Sequence, residues 1–79
     1  MTVKLFARLR DLAGAGDLET EVAQGSTIAD VWSAVIARHP ALAPYGQSLS
    51  AARNLEYARM NSPVQDGDEI AFMPPVSGG

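Results

Sequence analysis

A single amphipathic helical stripe, with alternating segments on either side of it, most constrains how this 79-residue chain folds. Apolar residues recur at intervals of three and four across residues 28–36, the spacing of one buried helix face. Ser26 or Thr27 is the candidate N-cap, Asp30 lies where a capping box places its acid, and Pro40 ends the helix. The apolar side of this helix must pack against other elements, and the alternating segments on either side of it are typical of strands. The sequence therefore predicts an α+β fold in which the helix packs on a sheet.

Five segments have the composition or the alternation of β-strands: residues 3–10, 18–23, 49–53, 55–59 and 69–73. The first two are predicted to form an antiparallel hairpin that places the acidic second strand beside the basic face of the first. A helix over residues 49–60 is an alternative to the third and fourth strands, although Asn54 favours a turn between them. Residues 41–48 form a loop with room for one helical turn. The order of elements predicts a β-grasp arrangement over residues 1–73, a mixed sheet with one main helix packed across one face.

Composition excludes several classes of site. The chain contains no cysteine and one histidine, His39, so we expect no thiolate cluster and no bound metal. The formal net charge is −3, so the sequence has no excess of basic residues of the kind that nucleic-acid-binding proteins carry. No apolar run approaches the roughly 20 residues that span a bilayer, so we expect no membrane partner and a cytoplasmic protein. His39 has no nucleophile near it in the sequence, so no autonomous enzyme activity is expected.

The last six residues form a predicted extended tail, residues 74–79: Pro74, Pro75, Val76, Ser77, Gly78 and Gly79. The two prolines favour an extended chain, and six such residues reach roughly 20 Å. Two terminal glycines without side chains can enter a channel too narrow for any other pair. The distinctive group is the α-carboxylate of Gly79, which becomes an acyl donor once a partner enzyme adenylates it with ATP. A sulfur donor that displaces AMP makes the chain a sulfur carrier, whereas an amine makes it a protein tag.

Residues 66–79, with the sequence DGDEIAFMPPVSGG, resemble the C-terminus of the small subunits of molybdopterin synthase, a family of ubiquitin-like β-grasp sulfur carriers. The opening VKLFARLRDLAG is similar to the family's first strand and turn. Asn54, two residues before Glu56 and Tyr57, also fits the family pattern, whereas residues 41–52 are not diagnostic. The resemblance therefore spans nearly the whole chain.

The resemblance implies a role for the tail and two protein partners. An activating enzyme uses ATP to adenylate Gly79, which is then converted to a thiocarboxylate, and the chain itself binds no cofactor. Residues 74–78 enter a pocket of the large synthase subunit, where two sulfurs reach cyclic pyranopterin monophosphate and form the dithiolene of molybdopterin. The catalytic side chains for the pterin chemistry belong to the large subunit, in a heterotetramer with a small subunit at each end of a large-subunit dimer.

Three residues are predicted to form a partner-binding patch on the sheet face that the helix leaves open: Phe6, Tyr57 and Met73. Tyr57 joins the other two if its strand has the matching register. The resembled family has a similar docking surface, often with a larger aromatic residue at the position of Met73. Two alternatives stay open. One is a sulfur carrier for thiamin thiazole synthesis, a group that generally lacks the Pro-Pro neck, and the other is a ubiquitin-like modifier or interaction domain.

Overall fold

The computed structural model describes residues 1–75, which form a mixed five-stranded sheet and two α-helices. In chain order the elements are β1 (Thr2–Leu5), α1 (Ala7–Ala13), β2 (Asp17–Glu19), α2 (Ile28–Arg38), a 3₁₀ helix (Pro40–Tyr45), β3 (Ser50–Arg53), β4 (Glu56–Ala58) and β5 (Glu69–Met73). The strands lie in the order β2-β1-β5-β3-β4, with β1 and β5 parallel and the other neighbours antiparallel. The tail residues named above as Val76, Ser77, Gly78 and Gly79 lie outside the described residues.

Helix α2 covers one face of the sheet, as the stripe predicts. Its buried residues are Ile28, Val31, Trp32 and Val35. The Trp32 ring meets the Phe72 ring of β5 in an edge-to-face contact with centroids 4.9 Å apart. At the start of α2 the Thr27 backbone N–H donates to the Asp30 carboxylate at 2.8 Å, so the predicted capping box forms. The predicted mixed sheet with one main helix across one face is confirmed.

The first predicted strand, residues 3–10, is wrong beyond Leu5, where β1 ends and helix α1 follows. Leu9 is fully buried and Leu12 is partly buried. This spacing of three places both side chains on one face of a helix. Gly14 ends α1 in the left-handed conformation, with φ of 74°. Residues 3–10 also alternate in polarity, so their pattern fits the two-residue period of a strand as well as the 3.6-residue period of a helix.

The first two strands pair in the predicted antiparallel direction, but helix α1 lies between them where a hairpin loop was expected, and β2 (Asp17–Glu19) is shorter than the predicted residues 18–23. Strand β2 ends at Glu19 and pairs with β1 in the antiparallel direction. Lys4 of β1 and Asp17 of β2 form the expected cross-strand ion pair, with Nζ and Oδ1 3.1 Å apart.

Strands β3 and β4 form where the sequence left a helix over residues 49–60 as an alternative, and that helix does not occur. A two-residue turn at Asn54 and Leu55 joins them, since Arg53 pairs with Glu56. Strand β5 has the predicted bounds, with its alternate side chains buried against α2 or facing the opposite side. The sheet therefore has one covered face and one open face.

Candidate functional site

The sheet face opposite α2 carries an apolar surface that we call the open-face patch. It consists of six residues: Phe6, Ala52, Leu55, Tyr57, Ala71 and Met73. Together with the charged residue Glu69, they surround a shallow depression of about 250 Å³. Leu55 is 89% exposed, Tyr57 83% and Phe6 46%. The structure thus brings the predicted residues Phe6, Tyr57 and Met73 to one surface, and their role in binding a partner stays a prediction.

Strand register explains how the patch assembles. Ala71 of β5 pairs with Ala52 of β3, and Ala52 pairs with Tyr57 of β4. Paired residues in neighbouring strands share a face, so these three side chains form one row across the open face. The two small alanine side chains leave the depression between the larger residues. The Phe6 N–H donates to the Phe72 carbonyl oxygen at 3.3 Å, which holds Phe6 beside the end of β5. Tyr57 therefore has the register that the predicted patch requires.

Leu55 is the patch residue that sequence reasoning missed. Its position is the second residue of the turn, immediately after Asn54. Asn54 signals the turn, but the side to which the next residue projects depends on the turn type. The sequence alone does not specify that type when a leucine occupies the second position.

A charged border limits the patch on its β1–β2 side. Lys4 lies beside Ala71 in the sheet register and pairs with Asp17. Further along these strands the Thr2 hydroxyl donates to the Glu19 carboxylate at 2.9 Å. The open face is therefore apolar over β3, β4 and the tail end of β5. Its charged border comprises β1, β2 and Glu69 at the start of β5, the arrangement of core and rim at protein interfaces.

A polar network ties the β3–β4 turn to the start of β5. The Asp68 carboxylate, in a residue only 7% exposed, accepts from Arg53 Nε at 2.6 Å and from Asn54 Nδ2 at 3.0 Å. The Gln65 backbone N–H donates to the same carboxylate at 2.8 Å. The Glu69 N–H in turn donates to Asn54 Oδ1 at 2.9 Å. The hydrogen bonds from Arg53 and Asn54 lower the pKa of Asp68 from 3.8 to about 2, although its burial acts in the opposite direction.

Sequence reasoning placed Asp68 in a turn over residues 65–68 and in the resemblance, and assigned it no hydrogen-bond partner. The available signal was an acid directly after the Asp66-Gly67 turn, at the start of a buried strand. An acid at the start of a buried strand usually has a partner, because an unpaired charge there is destabilising. The sequence does not show that the partners lie on β3 and in the turn after it.

The predicted tail leaves the sheet beside the open-face patch. Met73 is the last residue of β5 and is half-buried, Pro74 is half-buried and Pro75 is exposed. Residues 76–79 lie outside the described part, and the predicted role of Gly79 as the sulfur-bearing residue stays a prediction. Because β5 contributes to the patch and continues into the tail, a protein that receives the tail approaches the same end of the open face.

His39, the one histidine, ends α2, and its backbone N–H donates to the Val35 carbonyl oxygen at 2.9 Å. Its Nε2 atom is buried and has no hydrogen-bond partner in the described part of the chain. Across residues 1–75, no three His, Cys, Asp or Glu side chains are grouped so that they could hold a metal ion. No helix in that range is both long and apolar enough to cross a membrane. The open-face patch and the tail thus remain the candidate functional site.

A sequence model of the ThiS family matches residues 3–79. The chain belongs to the ThiS family. This ThiS-family protein is 38% identical to the molybdopterin synthase sulfur carrier subunit of Chlamydomonas reinhardtii, over 98% of this chain and 95% of that protein. It is 36% identical to small archaeal modifier protein 1 of Haloferax volcanii, with 100% of both proteins covered.

Solved structures confirm the ubiquitin-like β-grasp fold of this ThiS-family protein. The crystal structure of the Haloferax volcanii modifier protein superposes with a TM-score of 0.88 at 35% identity, covering 99% of this chain and 97% of the other. A chain in the complex of subunits 1 and 2 of the molybdopterin-converting factor from Helicobacter pylori has a TM-score of 0.66 at 22% identity, covering 99% and 96%. That last likeness shows the fold alone. The resemblance to molybdopterin synthase small subunits is confirmed by the curated relatives.

Proposed function

We propose that this protein is the sulfur-carrier subunit of molybdopterin synthase. The observation that carries the proposal is 38% identity, across nearly the full chain, to a molybdopterin synthase sulfur carrier subunit. The Gly78-Gly79 end and the open-face patch beside the start of the tail support it. Together they suit a carrier that docks on a larger subunit through its sheet while its C-terminus enters that subunit.

In the proposed reaction the Gly79 carboxylate attacks ATP held by a separate activating enzyme, which gives an acyl-adenylate and pyrophosphate. A sulfur donor then forms a carbon–sulfur bond as the bond to AMP breaks, and a thiocarboxylate remains at Gly79. In the large subunit the thiocarboxylate sulfur forms a bond to a carbon of cyclic pyranopterin monophosphate. Water then attacks the acyl carbon and breaks its bond to that sulfur, so the sulfur stays on the pterin and the carrier returns to the carboxylate form. Two such transfers supply the dithiolene of molybdopterin. The side chains that act on the pterin belong to the large subunit in the proposed heterotetramer.

The open-face patch serves in this proposal as the docking surface for the large subunit. Tyr57 and Met73 provide apolar area on strands β4 and β5, and Phe6 adds to it from the residue between β1 and α1. The Lys4–Asp17 pair provides part of a polar rim. Residues 74–78 thread the pocket that leads to the pterin. The prolines restrict this segment to extended conformations, so less conformational entropy is lost when it binds.

Reconstitution from purified proteins tests the proposed function. The full chain is incubated with an activating enzyme, ATP and a sulfide source, and intact mass spectrometry measures replacement of one oxygen by sulfur. The thiocarboxylated chain is then mixed with the large subunit and cyclic pyranopterin monophosphate, and we expect molybdopterin to form. The matched control lacks Gly79 and is expected to give no product. A thiocarboxylated chain that binds a thiazole synthase and ignores the large subunit would move the assignment to thiamin synthesis.

A second candidate function is protein modification, favoured by the 36% identity to small archaeal modifier protein 1 over the whole of both chains. In that case a lysine amine, in place of sulfur, displaces AMP from Gly79. Lys4 is the one lysine of this sequence, so copies joined to each other through lysine are linked at Lys4. Peptide mapping of conjugates formed with ATP and the activating enzyme separates the two functions.

A further inference from the structure

The turn between β3 and β4 has a backbone conformation that its sequence disfavours. Arg53 pairs with Glu56, so the turn has two central residues, Asn54 with φ of 52° and Leu55 with φ of 73°. Two positive φ angles define a type I′ hairpin turn, for which glycine is preferred at the second central position. A leucine there is strained, because its Cβ approaches the backbone in the left-handed region.

Leu55 is also the most exposed of the large apolar side chains in the described residues, at 89%. An exposed leucine gains no burial energy in the free domain. Backbone strain and apolar exposure therefore coincide at one residue, and glycine would remove both. Strain that folding does not require is a sign of function.

The surrounding structure fixes this turn in place. The Asn54 backbone N–H donates to the Glu69 carbonyl oxygen at 2.8 Å, and its side chain bonds both Asp68 and the Glu69 N–H. Asp68 is held in turn by Arg53 and Gln65. Four hydrogen bonds thus join Arg53 and Asn54 to the start of β5, and a fifth, from Gln65, holds Asp68 itself, so Leu55 projects from a well-anchored turn.

Leu55 extends the open-face patch to the end farthest from the tail. Arg53, next to the turn, pairs with Ile70, whereas Ser50 pairs with Met73 at the tail end. Three residue steps along β5 separate those pairs, or roughly 10 Å. A protein that receives the tail and covers the depression therefore reaches Leu55.

We propose that Leu55 is a specificity-determining contact for the large subunit, inserted into an apolar recess of that protein, and that Asn54 is a positioning residue for it. The inference rests on the proposed function, because the occupant is the protein that receives the Gly79 tail. The tail leaves from the same strand that forms the middle of the patch, so one partner spans both.

Calorimetric titration of the full chain into the purified large subunit tests the contact. Leu55→Gly is expected to bind about tenfold more weakly. Its melting temperature is expected to be equal or higher, because glycine suits the turn. Leu55→Asn, which also tolerates positive φ, should lose the same affinity, whereas Leu55→Met should retain it. Unchanged affinity of both Leu55→Gly and Leu55→Asn overturns the inference and leaves the proposed function intact.

A double-mutant cycle tests the positioning residue. Asn54→Gly keeps the turn conformation and removes the side-chain hydrogen bonds, so binding should weaken about threefold in the chain that retains Leu55. In the Leu55→Gly background the same change should have no further effect. Equal effects in both backgrounds refute the positioning role. If the unaltered chain does not bind the large subunit, the proposed function and this inference both fail.

Discussion

At the residue scale, the Asp68 carboxylate couples stability to pH. Its pKa is about 2 in the folded chain, below the ordinary 3.8, because Arg53 and Asn54 donate hydrogen bonds to the ionised form. A group whose pKa falls on folding stabilises the native state above its unfolded pKa. That contribution, on the order of 2 kcal/mol, is lost as the pH falls from about 4 to about 2.

The substitution Asp68→Asn is expected to lower the free energy of unfolding by about 2 kcal/mol at neutral pH. Asparagine keeps the size of the side chain but removes the charge and supplies one oxygen acceptor instead of two. The difference from the unaltered chain should narrow as the pH falls toward 2, because Asp68 then becomes neutral. Urea unfolding at several pH values measures both effects. The control is Asp66→Asn, an exposed acid whose replacement should change stability by less than about 0.5 kcal/mol.

At the scale of elements, secondary structure is predictable from the sequence where the apolar residues repeat with only one period, that of a helix or that of a strand. The stripe of α2 and the alternation of β5 each fit a single structure, and both elements form. Residues 3–10 fit two periods, and tertiary packing decides between them. The Phe6 N–H donates a hydrogen bond to Phe72 in β5, and in the residues that follow, burial of Leu9 favours the helix α1. The polar partners of Asp68 and the orientation of Leu55 depend on contacts between distant segments, so the sequence could not specify them.

The left-handed conformation of Gly14, which ends helix α1, can be tested by substitution. Gly14 has φ of 74°, and a Cβ added there meets no atom within 4 Å. Gly14→Ala is therefore expected to lower stability by about 1 kcal/mol through backbone strain alone. Gly14→Asn is the matched control, because asparagine adopts positive φ more readily and should have a smaller effect. Thermal unfolding of both variants compares them, and equal stability of Gly14→Ala and the unaltered chain would contradict this account.

At the scale of the whole molecule, one face of the sheet forms the core and the opposite face carries the proposed docking surface. The face under α2 contains the large fully buried side chains, including Ile70 and Phe72 of β5. The alternate residues of the same strand, Ala71 and Met73, face the open side and lead into the tail. Substitutions on the open face can therefore change partner binding with little change in the core.

Met73→Asp tests this division. The charge would lie in the apolar patch next to the start of the tail, and desolvating it under a partner is costly. We expect binding to the large subunit to weaken about a hundredfold in calorimetric titration. The melting temperature should change little, because Met73 is only half-buried and points away from the α2 side. Ser33→Asp adds the same charge at an exposed position on α2, on the covered side of the sheet, and should bind normally. Normal binding by Met73→Asp would rule out the open-face patch as the docking surface, and weak binding by Ser33→Asp would show that net charge, not the patch, controls association.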